Sequence, residues 1–491
     1  MANNLNAKIV NGTKWSAITE ILAKLVTPIT SMVMARLLTP EAFGIVATFS
    51  VIITLADIFS DAGFQRYLIQ HEFADDDERD RTTNVAFWSN LVLSFFCWGL
   101  IILFRNPLAE LVGSSGLGIV LAVTCASIPL TGFCSIQIAL FKREFDFKTL
   151  FWRRLVSILI PLFVTIPLAF IWRNYWALVV GNLAGNVANA ILLSVKSNWR
   201  PRRYYNFALL KEMLSFCLWS LFDSFLVWAT SYIDMFFIGK YLSTYYLGLY
   251  RTSISMVGHI ITLITAIVMP VVLPALARLQ NDIPEMRRIL LKFQKTTGLI
   301  IIPLGFGILM FRNLITEVML GDQWGEAAAF LGLWGMMEAV TIIFSRFCSP
   351  VYPAIGKPRV SVIVQISHLA VLVPAVIVSG QYGFEPLYIT RSLVRLELVM
   401  VNLIAVYITI KQSPWRMFLN VLPEFICTAL MCAVAYALLS INDSIALSFV
   451  WVFICIGVYF VSLYYLFPQE RASLKSLVQT VTKTLKGGRK K

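Results

Sequence analysis

The sequence predicts an all-α polytopic membrane protein with about 14 transmembrane helices. Of its 491 residues, 58% are hydrophobic and 14% are charged, whereas soluble proteins carry roughly 25% charged residues. The apolar residues form stretches of about 18 to 33 residues, each long enough to cross a hydrocarbon core of roughly 30 Å as a helix. Basic residues concentrate in alternate loops, which indicates a fixed orientation in the membrane.

The predicted helices fall into two series of six, followed by a final pair. The first series covers residues 12–37, 41–62, 83–104, 115–140, 155–172 and 176–195. The second series covers residues 207–238, 244–276, 291–311, 326–349, 359–379 and 385–410. The final pair covers residues 418–440 and 444–467. We therefore expect an N-terminal six-helix lobe over 1–206, a C-terminal six-helix lobe over 207–411, two extra C-terminal helices within 412–468 and a basic cytoplasmic tail over 469–491.

Lysine and arginine alternate between the two sides of the predicted membrane. If the N-terminus is cytoplasmic, the inner segments contain 31 of the 41 basic residues and the outer loops contain four. The four outer residues are Arg105, Arg173, Lys240 and Arg312. The positive-inside rule therefore predicts that both termini lie in the cytoplasm. This orientation accounts for the net charge of +14 without a nucleic-acid partner.

The cysteines and the loops argue against metal and enzyme chemistry. The eight cysteines lie in apolar stretches, with no Cys-x-x-Cys pair and no cluster with histidine. We interpret them as small apolar residues of helices. A polytopic membrane enzyme usually needs a sizeable extramembrane loop to hold its acid and base residues, and the longest outer loop here is about 312–325. We therefore expect a protein that is not an enzyme and binds neither a metal nor another cofactor.

An internal repeat emerges when the sequence is shifted by 204 residues along itself. The shift aligns Trp15 with Trp219 and, without a gap, aligns residues 36–44 with 240–248. Six predicted helices separate the two copies, so both copies enter the membrane in the same direction. We therefore expect two lobes related by a pseudo-twofold axis along the membrane normal, with a substrate site between them near the midplane.

The repeated segment has the pattern of a helix start. Thr39 and Ser243 suit the N-cap position. Gly44 and Gly248 each follow five residues later. Because a glycine on a membrane helix lets a neighbouring helix approach closely, we predict that each glycine lies in a contact between helices.

Four stretches of the sequence resemble a known family of transporters. They are ARLLTPEAFGIVA (35–47), FSDAGFQRYLIQ (59–70), ALFKREFDFKTL (139–150) and AIGKPRVSV (354–362). They resemble the polysaccharide transporter family of bacterial Wzx-type oligosaccharide and lipopolysaccharide flippases, and within it the branch of colanic-acid-type exporters. That family is part of the multidrug/oligosaccharidyl-lipid/polysaccharide exporter superfamily.

The resemblance implies a flippase for surface polysaccharide biosynthesis, which includes exopolysaccharide, capsule and O-antigen. Such a protein moves a polyprenyl-diphosphate-linked oligosaccharide from the cytoplasmic to the periplasmic leaflet of the bacterial inner membrane by alternating access. It uses no ATP, and a proton or a sodium ion would serve as the coupling ion. Further partners would be membrane lipids and the polymerase and assembly proteins of the same polysaccharide. The alternative is a cation-coupled multidrug antiporter of the same superfamily, whose cavity would be acidic.

Charged side chains within the membrane are the candidate site residues, because each one is costly to insert unless it faces a cavity or a partner. Cations that could receive the diphosphate are Lys24, Arg251, Arg391 and Arg395. Carboxylates that could bind a coupling cation or change protonation are Glu20, Asp57 and Asp223.

Several of the charges also have an interpretation without a role in transport. Arg391 and Arg395 could equally line a cavity or extend to the membrane interface from near a helix end. We expect Arg346 to extend to the interface, Glu424 to lie at the interface and His368 to be a packing residue with a hydrogen-bond partner.

Overall fold

A computed structural model of the chain describes residues 22–23, 26–71, 73–144, 146–357 and 359–471. Within these ranges the regular structure is helical, and 13 helices are long and apolar enough to cross a membrane. The chain is therefore an all-α, multi-pass membrane protein, as the sequence predicts. Of the predicted first helix over 12–37, residues 22–23 and 26–37 are described, and they are helical.

The chain forms two compact units. Unit 1 comprises Met1–Thr252 with Leu372–Leu387, and unit 2 comprises Ser253–Val371 with Tyr388–Lys491. The predicted lobes over 1–206 and 207–411, the helical pair and the tail stay predictions.

Unit 1 contains the following helices from its N-terminal segment. They are α1 (Pro40–Asp61), α2 (Phe64–Gln70), α3 (Asp76–Leu103), α4 (Arg105–Leu111), α5 (Gly118–Thr124), α6 (Ser127–Arg143), α7 (Phe147–Ile160), α8 (Ile166–Trp172), α9 (Trp176–Lys196) and α10 (Phe207–Tyr241). A π-helical turn over Pro161–Thr165 joins α7 to α8. The next helix, α11 (Thr244–Ala277), continues from unit 1 into unit 2.

The remaining helices follow in chain order. They are α12 (Ile283–Met310), α13 (Arg312–Met319), α14 (Ala327–Thr341), α15 (Val351–Ala354), α16 (Arg359–Gly380), α17 (Phe384–Ile410), α18 (Pro414–Asn420), α19 (Leu422–Ile441) and α20 (Ile445–Leu466). A π-helical turn over Ile342–Arg346 extends α14. Short 3₁₀ turns lie at Asp322–Trp324 and Pro468–Glu470.

Local capping explains where two of the membrane helices begin. Thr39 caps α1 through its side chain, which accepts a hydrogen bond from the Ala42 amide, and Pro40 occupies the first helical position. Asp75 caps α3 by accepting a hydrogen bond from the Glu78 amide at 2.7 Å. Helix α3 therefore begins at Asp76, seven residues before the predicted start at 83, because a capped acidic turn continues the helix beyond its apolar part.

The two repeated glycines meet in unit 1. A Cβ atom placed on Gly44 would lie 1.7 Å from the Thr244 carbonyl oxygen, and one placed on Gly248 would lie 1.9 Å from the Pro40 carbonyl oxygen. Helices α1 and α11 thus cross with their backbones in contact. The prediction that both glycines lie in helix contacts is confirmed.

In unit 2, helices α19 and α20 pack against α12. Tyr459 of α20 is buried and donates a hydrogen bond to the Leu299 carbonyl oxygen at 3.0 Å. The surrounding core includes Cys427 and Met431 of α19. Glu424, in the first turn of α19, is fully buried by protein, and its position at the membrane interface stays a prediction.

Candidate functional site

Three arginines lie together within the membrane-spanning part of unit 2. We call Arg346, Arg391 and Arg395 the arginine cluster. Arg391 and Arg395 lie one turn apart on α17 and therefore share a helix face. Arg391 is 6% exposed, and the side chain of Arg395 is 12% exposed. These two candidates are therefore largely buried among protein groups.

An aromatic ring of α14 lies beside both α17 arginines. The guanidinium carbon of Arg395 is 3.6 Å from the centroid of the Trp334 ring, and that of Arg391 is 5.1 Å from it. At these distances the ring quadrupole attracts a cation, and a desolvated pair gains about 2 kcal/mol. Trp334 thus stabilises the positive charges of Arg391 and Arg395, which are largely shielded from water.

A single buried carboxylate connects the cluster. Glu338 lies one turn after Trp334 on α14, and its side chain is 8% exposed. Its Oε1 accepts a hydrogen bond from Arg346, and its Oε2 accepts one from Arg395. Arg346 follows at the end of the π-helical turn, and its side chain can reach back because helical side chains tilt toward the N-terminus. Arg346 thus binds this buried carboxylate, and its predicted extension to the interface stays a prediction.

The cluster keeps positive charge and donors in excess. Beside it, His368 pairs with Glu397 through an Nδ1–Oε2 contact of 2.8 Å, so His368 has the partner predicted for it. With both glutamates ionised and the histidine neutral, the three arginines leave one positive charge unbalanced. The buried Nε of Arg395 finds no acceptor among the residues that the structure describes, and the side chain of Arg346 is 47% exposed. The site can therefore accept an anion.

The other predicted cation that the structure describes belongs to unit 1. Arg251 lies on α11, and its guanidinium carbon is 5.3 Å from the centroid of the Tyr232 ring. Lys24, Glu20 and the side chain of Asp223 lie outside the described residues. The roles predicted for these four residues stay predictions.

Sequence reasoning missed a buried carboxylate on α10. Asp234 of α10 is 1% exposed and accepts a hydrogen bond from the Tyr250 hydroxyl of α11 at 2.5 Å. The available signal was an acidic residue inside the predicted helix over 207–238, which membrane insertion costs make notable.

Asp57 lies in a polar cavity of about 260 Å³ within unit 1. We call it the acidic cavity, because Asp57 and Asp61 of α1 both line it. Its lining also includes Thr131 and Ser135 of α6. One cation, Arg153 of α7, also lines this cavity.

A second, apolar cavity of about 440 Å³ lies in unit 2. Its walls come from α12, α13, α19 and α20, with Ile260 of α11. Gly307 and Leu299 of α12 line it, together with Met431 of α19 and Phe460 of α20. The two C-terminal helices therefore form part of a cavity suited to an apolar chain.

The chain is similar in sequence to proteins of polysaccharide biosynthesis. Residues 33–329 match the family described as "Polysaccharide biosynthesis protein". The chain is 20% identical to the lipopolysaccharide biosynthesis protein WzxC of Escherichia coli (strain K12), over 77% of this chain and 76% of WzxC. It is 23% identical to the succinoglycan biosynthesis transport protein ExoT of Rhizobium meliloti (strain 1021), over 73% of this chain and 72% of ExoT.

Among solved structures, the lipid II flippase MurJ in its inward closed conformation has the same fold. The TM-score is 0.75 at 15% identity, and the match covers 92% of this chain and 98% of MurJ. A large all-α membrane fold is therefore shared over almost the whole of both chains.

Proposed function

Because the chain belongs to the polysaccharide biosynthesis protein family, we propose that it is a flippase for a polyprenyl-diphosphate-linked oligosaccharide in surface polysaccharide biosynthesis. It would work in the bacterial inner membrane by alternating access, with both termini in the cytoplasm. The names of WzxC and ExoT support a polysaccharide as the cargo, and the name of ExoT supports transport over catalysis. The fold shared with MurJ supports a transporter architecture.

The arginine cluster is the observation that carries the proposal. A diphosphate bears two or more negative charges and offers oxygen pairs that match the fork of a guanidinium group. Electrostatic attraction is strong where protein and lipid exclude water. Arg346 and Arg395 supply the donors, and Trp334 holds the guanidinium of Arg395 in place. No metal is needed to bind the diphosphate in such a site.

Glu338 gives the cluster a way to bind and release. In the absence of substrate, its two oxygens accept hydrogen bonds from Arg346 and Arg395. A diphosphate would compete with Glu338 for the same donors. Because Glu338 can replace the departing anion, neither arginine is left unpaired when the substrate leaves. Release in the opposite leaflet therefore avoids the cost of a bare buried charge.

The apolar part of the proposed substrate has a matching cavity. The isoprenoid chain is a long hydrocarbon, and the cavity between α12, α13, α19 and α20 is lined mostly by apolar side chains. Membrane lipids would compete for this cavity. A polymerase and assembly proteins of the same polysaccharide would receive the flipped product. We propose that a gradient of protons or sodium ions supplies the energy for transport. We also propose that the protein catalyses no chemical reaction.

The proposal is tested by replacing Arg395 in a strain that depends on a plasmid copy of the protein. We expect Arg395→Ala to reduce surface polysaccharide at least tenfold and to cause lipid-linked repeat units to accumulate. Arg416→Ala is the matched control, because Arg416 is an exposed arginine of α18. Both variants should reach the membrane at wild-type levels by immunoblot. Normal polysaccharide with Arg395→Ala would contradict the diphosphate role of the cluster.

The multidrug antiporter remains the alternative, and the acidic cavity is the observation that favours it. The two functions differ in what a deletion changes. Loss of the antiporter would increase sensitivity to cationic drugs and leave the polysaccharide intact. Loss of the flippase would remove the polysaccharide and leave lipid-linked intermediates on the cytoplasmic side.

A further inference from the structure

We propose that unit 2 binds a phospholipid whose headgroup carries both a phosphate and a primary ammonium group, as in phosphatidylethanolamine. The headgroup would occupy a polar cavity at one end of α12, and the hydrocarbon would occupy the apolar cavity described above. This lipid would hold the apolar cavity while no isoprenoid chain is present. Its binding does not depend on the proposed transport function, because the ligand is a lipid of the surrounding membrane.

The polar cavity has a volume of about 690 Å³ and lies where membrane helices end. Helices α12 and α19 end there, and α20 begins there. We call it the mixed-charge cavity, because Arg312 and Glu317 of α13 line it together with Asp443 of the loop between α19 and α20. The ends of membrane helices lie at the level of the lipid headgroups. A headgroup can therefore reach this cavity from the bilayer.

The mixed-charge cavity adjoins the apolar cavity of unit 2. Phe311 and Leu314 are buried and belong to the lining of both cavities. On one side of these two residues is a space of about 440 Å³ lined mostly by apolar side chains, and on the other side are charged and polar groups. A ligand that fills both cavities must combine a hydrocarbon chain with a polar head, as a phospholipid does.

The charges of the mixed-charge cavity do not neutralise one another. Arg312 and Glu317 are five positions apart on α13, whereas ion pairs along a helix form at a spacing of three or four. The ion pairs among the described residues of unit 2 join other side chains. The cavity therefore presents one cation and two carboxylates to a ligand.

The loop that carries Asp443 is fixed by hydrogen bonds. Oδ1 of Asn442 accepts a hydrogen bond from the Ser444 amide at 2.8 Å, and the Asn442 carbonyl oxygen accepts one from Nε1 of Trp451 at 3.1 Å. The Ser448 hydroxyl donates to the Asp443 carbonyl oxygen at 3.4 Å. These contacts tie the loop to α20, so Asp443 is held at the cavity before a ligand arrives.

Charge complementarity selects the headgroup. A phosphate can accept hydrogen bonds from the Arg312 guanidinium, and an ammonium group can donate to the carboxylates of Glu317 and Asp443. The ring of Tyr436, which also lines the cavity, attracts a cation as well. A phosphatidylglycerol head has a phosphate but no cation, so it would meet both carboxylates without compensation. A diphosphate carries still more negative charge, so the head of the proposed transport substrate fits this cavity less well.

The test measures lipid binding to the purified, full-length protein in detergent by native mass spectrometry. We expect phosphatidylethanolamine to bind at least fivefold more tightly than phosphatidylglycerol with the same acyl chains. Glu317→Gln combined with Asp443→Asn should remove this preference, because the amides carry no negative charge. Arg312→Gln should weaken the binding of phosphatidylethanolamine. Asp322→Asn combined with Glu326→Gln is the matched control, because both residues are exposed and lie outside the cavity lining.

Two results would overturn the proposal. The first is an equal affinity of the wild-type protein for the two lipids, a measurement that needs no variant and does not depend on the folding of a mutant. The second is an unchanged preference for phosphatidylethanolamine in the double variant Glu317→Gln with Asp443→Asn. Neither result bears on the proposed flippase, because the assay contains no transport substrate. Conversely, normal polysaccharide with Arg395→Ala would contradict the diphosphate role of the arginine cluster and leave the lipid preference untouched.

Discussion

Glu338 shows how a single side chain can stabilise a cluster of arginines that is largely buried. Its carboxylate binds Arg346 and Arg395, and its own side chain is 8% exposed. Desolvation of each charge is expensive, and mutual attraction offsets it only while every partner is present. The stability of this region should therefore depend more on the completeness of the network than on the number of its charges.

This dependence predicts a specific pattern of mutant stabilities. Glu338→Ala should destabilise the protein by on the order of 3 kcal/mol, because it leaves the Arg395 guanidinium buried without a carboxylate. The double variant Glu338→Ala with Arg395→Met should recover much of this loss, because it removes the stranded charge as well. Thermal unfolding of the purified variants measures both effects. A double variant less stable than Glu338→Ala would contradict the account.

The pairing of these residues could not be predicted from the sequence. The cost of a charge in a membrane identifies Arg391 and Arg395 as notable, but it does not say which helix faces them. Glu338 and Arg395 are separated by 57 positions. The contact depends on how α14 and α17 pack, whereas the sequence shows only that each helix carries charge.

At the scale of elements, the crossing of α1 and α11 brings the two repeat copies together. A Cβ atom on Gly44 would lie 1.7 Å from the Thr244 carbonyl oxygen at the start of α11. A Cβ atom on Gly248 would lie 1.9 Å from the Pro40 carbonyl oxygen at the start of α1. Such reciprocal contact is what a twofold relation between the copies predicts. Because the neighbouring atoms are backbone carbonyls, no side-chain movement can make room for a larger residue.

The crossing therefore predicts an effect of a single methyl group. Gly248→Ala should lower the stability of the protein by about 1 to 3 kcal/mol, the usual cost of overpacking. Gly258→Ala is the matched control on the same helix, because a Cβ atom there would meet no neighbouring atom within 4 Å. Thermal midpoints of the two variants should differ clearly. Equal midpoints would show that α1 and α11 separate without cost.

Helix positions could largely be predicted, but helix starts could not. Hydropathy locates the apolar core of each span, whereas polar residues at a helix end leave no hydropathy signal. Helix α3 begins at Asp76 because of its cap, and α7 begins at Phe147, eight residues before the predicted start at 155. At that end the helix includes Arg153 and Arg154, which the hydropathy pattern assigns to a loop.

At the scale of the whole molecule, hydropathy and charge predict the class of protein because the bilayer imposes both. Each span must be apolar and helical, since lipid offers no hydrogen bonds to the backbone. The cavities follow from packing among helices and have no comparable pattern in the sequence. The two C-terminal helices illustrate the difference: their length was predictable, whereas the apolar cavity that they form with α12 and α13 was not.

That cavity can be filled without disturbing the helices around it. Gly307 of α12 lines the cavity, and a Cβ atom there would meet no neighbouring atom within 4 Å. Gly307→Leu should therefore place a side chain in the cavity with little change in thermal midpoint. If the cavity holds the isoprenoid chain of the substrate, surface polysaccharide should fall several-fold.

The control for this variant is Gly457→Leu. Gly457 lies on α20, where an added Cβ atom also meets open space, and it does not belong to the cavity lining. Both substitutions exchange glycine for the same larger residue within a helix of unit 2, so they share the effect on helix propensity. Equal polysaccharide levels in the two variants, at equal amounts of protein in the membrane, would mean that the substrate chain does not use the cavity. A loss confined to Gly307→Leu would connect the C-terminal helices to transport.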